Sequence, residues 1–198
     1  KVKYMVVITL LIILIIIALI LIYISNNCLK VTRYIVKNNK IPKSFDRLKI
    51  VHISDVHSKI FGKNNYKFFE KINEINPDVI FMTGDIIDDS EKNIKGYVNI
   101  YKELFKRYPI YYSIGNHERK LGYNKYKEYI SLLKENGVNV IVNGSTYFKK
   151  GNEKIKINAL KFRENMQPRV LTTQKKDKYI NYMKKKLNDI DTNEFNVL

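Results

Sequence analysis

The sequence predicts an α/β domain on a largely parallel sheet, preceded by one membrane-spanning helix. Three observations carry this. Short apolar strands alternate with amphipathic helices from residue 48 to residue 142. An uncharged apolar run fills the N-terminus. Polar clusters sit where three successive strands end.

The N-terminal run is Tyr4 to Ile24, 21 residues without a charge, Gly or Pro. As a helix it spans about 30 Å, the hydrocarbon thickness of a bilayer. Tyr4 and Tyr23 sit at its ends, where amphipathic rings prefer the interface. It carries no amphipathic stripe, so a buried soluble helix is disfavoured. A cleaved signal peptide normally has a shorter apolar region and a small-residue cleavage site. The exit Ile24-Ser25-Asn26-Asn27-Cys28 lacks one, so an uncleaved anchor is expected over residues 1–24. Lys1 and Lys3 flank one side; Lys30, Arg33, Lys37 and Lys40 flank the other. A positive-inside count favours a cytoplasmic C-terminal domain, and the side stays open.

Residues 25–47 form a polar, basic connector with Asn38-Asn39 and Pro42. Leu48–Ser54 reads as a strand. Asn64–Asn76 reads as a helix, with Tyr66, Phe69, Ile72 and Ile75 at helical spacing. Asp78–Thr83 is a short apolar strand behind Pro77. Glu91–Tyr108 reads as one helix, ended by Pro109 before the strand Ile110–Ile114. Tyr123–Glu135 is a helix closed by Asn136-Gly137, and Val138–Val142 is a strand. A β-α-β-α-β-α-β order implies parallel strands covered by helices. Beyond residue 143, Tyr147-Phe148 and Ile155–Leu160 read as strands around a Lys149–Asn152 turn. Gln174–Leu187 reads as a basic helix and Asn193–Leu198 as a strand.

Composition bounds the function. The chain of 198 residues has 36 Lys+Arg against 19 Asp+Glu, a formal charge of +17. The lysines are scattered, and no nucleic-acid-reading motif accompanies them, so a solvated basic surface with some attraction for anionic lipid is expected and no specific nucleic acid. A single cysteine, Cys28, excludes an intrachain disulfide and a Cys-based zinc cluster. Three histidines, His52, His57 and His117, exclude an all-histidine site of four ligands. The chain begins at Lys1 and stops within an apparent strand, so a fragment is expected.

The strand-end clusters carry the chemistry. They are Ser54-Asp55-Val56-His57, Thr83-Gly84-Asp85 and Gly115-Asn116-His117-Glu118. Asp55 precedes Asp85 by 30 residues, and Asp85 precedes Asn116 by 31, each about one βαβ unit. Carboxyl ends of neighbouring parallel strands share one edge, so the clusters converge. Asp offers an anionic oxygen, His a neutral nitrogen and Asn a carbonyl oxygen, a donor set suited to divalent metal. Gly84 and Gly115 permit tight bends that aim Asp85 and Asn116 into a cleft.

Asp-x-His, Gly-Asp and Gly-Asn-His-Glu in this order resemble the first three signatures of the calcineurin-like metallophosphoesterases, over about residues 48–198. With its anchor the chain is most similar to the bacterial membrane-associated subgroup that includes UDP-diacylglucosamine pyrophosphatase-like proteins. The resemblance implies a sandwich of two packed sheets flanked by helices. It also implies hydrolysis of a phosphoester or pyrophosphate, and two divalent metal ions, Mn, Fe or Zn. Carried over residue by residue, it implies that Asp55 and His57 bind the first metal, Asp85 bridges both and Asn116 binds the second. His117 would serve beside the scissile phosphate, and Glu118 would orient His117 or its loop. A hydroxide bridging the metals would be the nucleophile, acting on a phosphorylated small molecule or a lipid-linked substrate. The family also uses a later lone histidine and a Gly-His-x-His motif. No histidine follows His117, so residues 48–198 are expected to be the N-terminal part of such a domain, weak or inactive alone.

Several residues read more plainly. Strand alternation puts His52 on the face opposite Asp55, which suggests a packed, hydrogen-bonded histidine. Asp88 and Asp89 read as loop-solvating, and Tyr108, Tyr111 and Tyr112 as core and interface. A catalytically inactive membrane scaffold and a basic membrane-surface binding module are the alternative functions.

Overall fold

The structure is a computed structural model that describes residues 2–160, 177, 180–182, 184–185 and 195–197. Helix α1 covers Val2–Asn27. Its stretch Val2–Ser25 is long and apolar enough to cross a membrane, and none of it is buried against the rest of the chain. It is therefore not a core helix. Residues 28–42 form no helix or strand, and a 3-10 turn follows at Lys43–Phe45.

Among the described residues, seven strands make two sheets. The first contains β1 (Ile50–Ile53), β2 (Val79–Met82), β3 (Ile110–Ser113) and β4 (Asn139–Ile141), side by side in chain order. All three pairings are parallel, with Val51 opposite Ile80, Phe81 opposite Tyr111, and Tyr112 opposite Val140. The second contains β5 (Gly144–Lys150), β6 (Glu153–Ala159) and β7 (Asn196–Val197). Here β5 and β6 are antiparallel, and β7 runs parallel to β6. The β5–β6 hairpin pairs Lys150 with Glu153 across Gly151-Asn152. That turn is shorter than the expected Lys149–Asn152, and Gly151 takes the positive φ of 60° it needs.

Alternation along β2 builds two cores. Ile80 and Met82 point to the helical side, and Val79 and Phe81 to the second sheet. The helical layer comprises α2 (Tyr66–Ile75), α3 (Ile94–Ile100), α4 (Lys102–Arg107) and α6 (Tyr123–Glu135). These bring Phe68, Ile72, Val98, Leu104, Tyr129 and Leu133 into the larger core. Between the sheets, the Tyr111 ring meets Phe81 and Phe148 edge-on at 5.9 Å each. Phe45 from the 3-10 turn joins the same core, 5.7 Å from Phe148. Two packed sheets with helices outside are the expected sandwich. The three tyrosines lie in core positions: Tyr108 and Tyr112 on the helical side, Tyr111 between the sheets.

The structure departs from the sequence pattern in three places. The helix expected over Glu91–Tyr108 is two helices. It starts late because the Asn93 side chain accepts the Gly96 N–H at 2.8 Å, an N-cap. It breaks at Tyr101, whose N–H bonds Val98 O at 3.0 Å in a tighter turn. A further helix, α5 (Asn116–Lys120), occupies the third polar cluster. His52 is exposed rather than packed, although its Nε2 does hydrogen-bond Thr83 Oγ1 at 2.6 Å. It sits on β1, an edge strand of the first sheet. The helix expected over Gln174–Leu187 lies mostly outside the described residues.

Candidate metal centre

The site begins with backbone that leaves two strands together. After β1, Asp55, His57 and Ser58 take left-handed φ values of 54°, 49° and 55°. After β2, Gly84 and Asp85 do the same at 92° and 53°. A left-handed non-glycine residue costs on the order of 1 kcal/mol or more and persists where its surroundings overdetermine it. Here the two loops are zipped. Asp55 N–H donates to Gly84 O at 3.2 Å, His57 N–H to Asp85 O at 2.9 Å, and Ser58 N–H to Ile86 O at 3.0 Å. The third loop presses on the second. A side chain on Gly84 would meet Gly115 Cα and N at 2.5 Å, and one on Gly115 would collide with Asp85. Glycine is required at both positions by close approach of backbone.

Glu118 locks this arrangement from beneath. Its side chain is fully buried. Oε2 accepts the N–H groups of Asp85 and Gly115, both at 2.9 Å. Oε1 accepts the Ile86 N–H at 2.8 Å and the Tyr112 hydroxyl at 2.6 Å. Tyr112 in turn lies 3.0 Å from the Tyr129 hydroxyl. Burial pushes both phenols well above their ordinary range, so they stay neutral partners. One carboxylate thus ties β2's loop, β3's loop and α6 together. The resemblance implied an orienting role for Glu118, and its contacts are to the loops.

Above this frame the donors converge. Ligand atoms of His57, Asp85 and His117 lie within 4.8 Å of one another. The His57 and His117 rings meet edge-on at 4.4 Å between centroids. Asp85 Oδ1 also accepts the backbone N–H of His117 at 2.9 Å, which fixes α5 against the β2 loop. Asp55 stands at the mouth, with Oδ1 3.9 Å from His57 Nε2 and Oδ2 held by the Ser54 hydroxyl. Asn116 opens α5, half-buried, next to His117.

Asp88 and Asp89 are not merely solvating the loop. Asp88 Oδ2 lies 3.8 Å from His57 Nδ1 and 3.6 Å from His117 Nδ1, and Asp89 Oδ2 lies 3.8 Å from His117 Nδ1. Ser58 Oγ accepts the Asp88 N–H at 2.9 Å and so anchors this turn to the β1 loop. Hydrogen bonds from the Ser90 hydroxyl and N–H hold the Asp88 carboxyl below the ordinary carboxylate range, with a smaller contribution from the two histidines. A carboxyl three positions after Asp85 is visible in the sequence, but its direction depends on how the loop folds back. Among the described residues, His117 Nδ1 is buried and has the Asp88 and Asp89 carboxylates at ion-pair distance but no hydrogen-bond partner. Two imidazoles and clustered carboxylates fit a divalent metal.

The comparisons agree with this geometry. Residues 48–195 match the model of the calcineurin-like phosphoesterase family. An uncharacterized metallophosphoesterase of Campylobacter jejuni is 35% identical over 130 residues, covering 62% of this chain and 33% of that protein. The metallophosphoesterase YkuE of Bacillus subtilis is 35% identical over 129 residues, covering 62% of this chain and 43% of that one. A Danio rerio transmembrane protein with a metallophosphoesterase domain is 28% identical over 91 residues, covering 45% and 21%. The chain therefore spans less than half the length of these relatives. It belongs to the calcineurin-like phosphoesterase family, whose members are metal-binding hydrolases of phosphoesters.

Proposed function

We propose that this chain is the membrane-anchored, metal-binding part of a hydrolase that cleaves a phosphoester or pyrophosphate bond. The convergence of His57, Asp85 and His117 at one sheet edge carries the reading. Asp55, His57 and Asp85 would hold one divalent cation, and Asp85 and Asn116 would share in a second. Such ions neutralise the phosphoryl oxygens and acidify water. Everything else falls to the chain. Glu118 holds the Asp85 loop rigid. Asp88 faces His57 and His117 and orients their rings. His117 delivers a proton to the leaving oxygen. The anchor favours substrates at a lipid surface, and we place this chain with the UDP-diacylglucosamine pyrophosphatase-like subgroup on that ground.

The test uses the full-length gene product. It should hydrolyse p-nitrophenyl or bis-p-nitrophenyl phosphate with Mn²⁺ and lose that activity on chelation. Turnover that survives exhaustive chelation would overturn the reading.

A further inference from the structure

Ile86 follows Asp85, and its peptide groups are held on both sides. The N–H meets Glu118 Oε1, as described above. The carbonyl accepts the Ser58 N–H at 3.0 Å and the Tyr97 hydroxyl at 2.8 Å. A carbonyl oxygen has two lone pairs, and both are used. Tyr97 lies on α3 and is buried, and the roles above do not use it.

The Tyr97 hydroxyl ends a buried chain whose direction is forced. Phe61 N–H donates to Asn65 Oδ1 at 2.9 Å, and Asn65 Nδ2 donates to the Tyr101 hydroxyl oxygen at 3.1 Å. A carbonyl can only accept, so the Tyr97 proton goes to Ile86 O. Tyr101 must then give its own proton to Tyr97, 3.0 Å away. Burial pushes both phenols upward, so both keep their protons. No other placing of these protons keeps all four bonds.

The chain matters because of what it ends on. Asp85 sits at a φ of 53°, a strained conformation that persists only while its surroundings hold it. Glu118 holds the Asp85 loop from beneath. Tyr97 holds it from the helical layer, one peptide beyond the carboxylate.

We propose that Tyr97 is a positioning residue for the metal centre: by gripping Ile86 O, it keeps the Asp85 carboxylate where it meets His57 and His117. The proposal rests on the metal-binding reading of that site. Tyr97 touches neither metal nor substrate, and Asn65 and Tyr101 serve to aim its hydroxyl.

The experiment compares full-length wild type with Tyr97→Phe and Tyr101→Phe. It measures Mn²⁺ binding by calorimetry, amide hydrogen exchange of the metal-free protein, the thermal midpoint, and turnover of p-nitrophenyl phosphate against Mn²⁺ concentration. Both variants strand buried polar groups, so both midpoints should fall. Tyr97→Phe should also raise the Mn²⁺ dissociation constant about 10-fold, the low end of what a group behind a metal ligand is worth. Exchange of the Ser58 amide should quicken in the same variant. Its kcat should return to within a few-fold of wild type as Mn²⁺ approaches saturation, with KM for the substrate little changed. Tyr101→Phe keeps the bond to Ile86 O, so its Mn²⁺ affinity should stay near the wild-type value. Unchanged Mn²⁺ affinity in Tyr97→Phe would overturn the proposal, whatever the midpoint does. So would an equal loss of affinity in both variants, which marks general loosening of the fold. If Tyr97→Phe fails to fold, a ring-fluorinated tyrosine at the same position decides, being a stronger donor of nearly the same shape: changed Mn²⁺ affinity supports the proposal and unchanged affinity overturns it. Wild type that binds no Mn²⁺ removes the metal-binding reading and this inference with it. Equal Mn²⁺ binding by wild type and Tyr97→Phe removes this inference alone.

Discussion

Asp85 and His117 share a hydrogen bond and nonetheless separate in role. Asp85→Asn removes charge from the group proposed to bridge two cations, so metal content and activity should fall together. His117→Ala should leave the metals bound and slow turnover by roughly 10²–10⁴, the usual worth of a positioned acid–base group. The loss should shrink for p-nitrophenolate, which hardly needs a proton. Metal analysis alongside turnover on two leaving groups checks both, and metal loss in His117→Ala would reverse the assignment. Glu118 acts through structure. Glu118→Ala strands the N–H groups of Asp85, Ile86 and Gly115 in a buried place. It should cost about 2–5 kcal/mol by denaturant unfolding, since each unmet buried donor costs about 1–3 kcal/mol. The directions of Asp88 and Glu118 were hidden in the sequence. Gly-Asn-His-Glu places Glu118 next to His117, but a helix turn of about 100° per residue sends it beneath the loops instead.

At the scale of elements, the connector's end is stitched to the second sheet. Ser44 N–H donates to Glu153 Oε2 at 2.7 Å, and Phe45 enters the core between the sheets. The Ser44 contact holds the Glu153 carboxyl below its ordinary value of 4.5. The sign follows: a depressed carboxyl favours the folded contact above its unfolded pKa and loses it as pH falls through the lower folded value. Below about pH 4.5 the Ser44 amide resonance should therefore shift in an acid titration. Glu153→Gln should abolish that step, and a titration identical in the variant would remove the assignment. The alternation of strands with helices along the chain was legible because apolar period separates 2 from 3.6 residues, but the number of helices was not. Nor was the split at Tyr101. It turns on a tyrosine whose hydroxyl lies 3.0 Å from Tyr97 and accepts from Asn65 at 3.1 Å, partners that meet only after folding.

At the scale of the whole molecule, the anchor and the folded part make no shared core, since the apolar span is unburied. The protein should pellet with membranes, and alkaline carbonate should not release it. An N-terminus mapped beyond residue 24, or recovery in the soluble fraction, would count against a single-pass anchor.

Local pattern alone determined the apolar span, the β-α alternation and the three polar clusters. Each is written in neighbours a few residues apart, and burying apolar surface against one sheet leaves little choice of arrangement. The family resemblance rested on those same clusters. Tertiary structure alone decided which donors meet. Asp88 lies three residues from Asp85 in sequence, yet it reaches His57 and His117, 31 and 29 residues away. The left-handed turns at Asp55, His57 and Asp85 are equally invisible to propensity, which disfavours them. They exist because backbone bonds between two loops, with Glu118 beneath, outweigh the local strain.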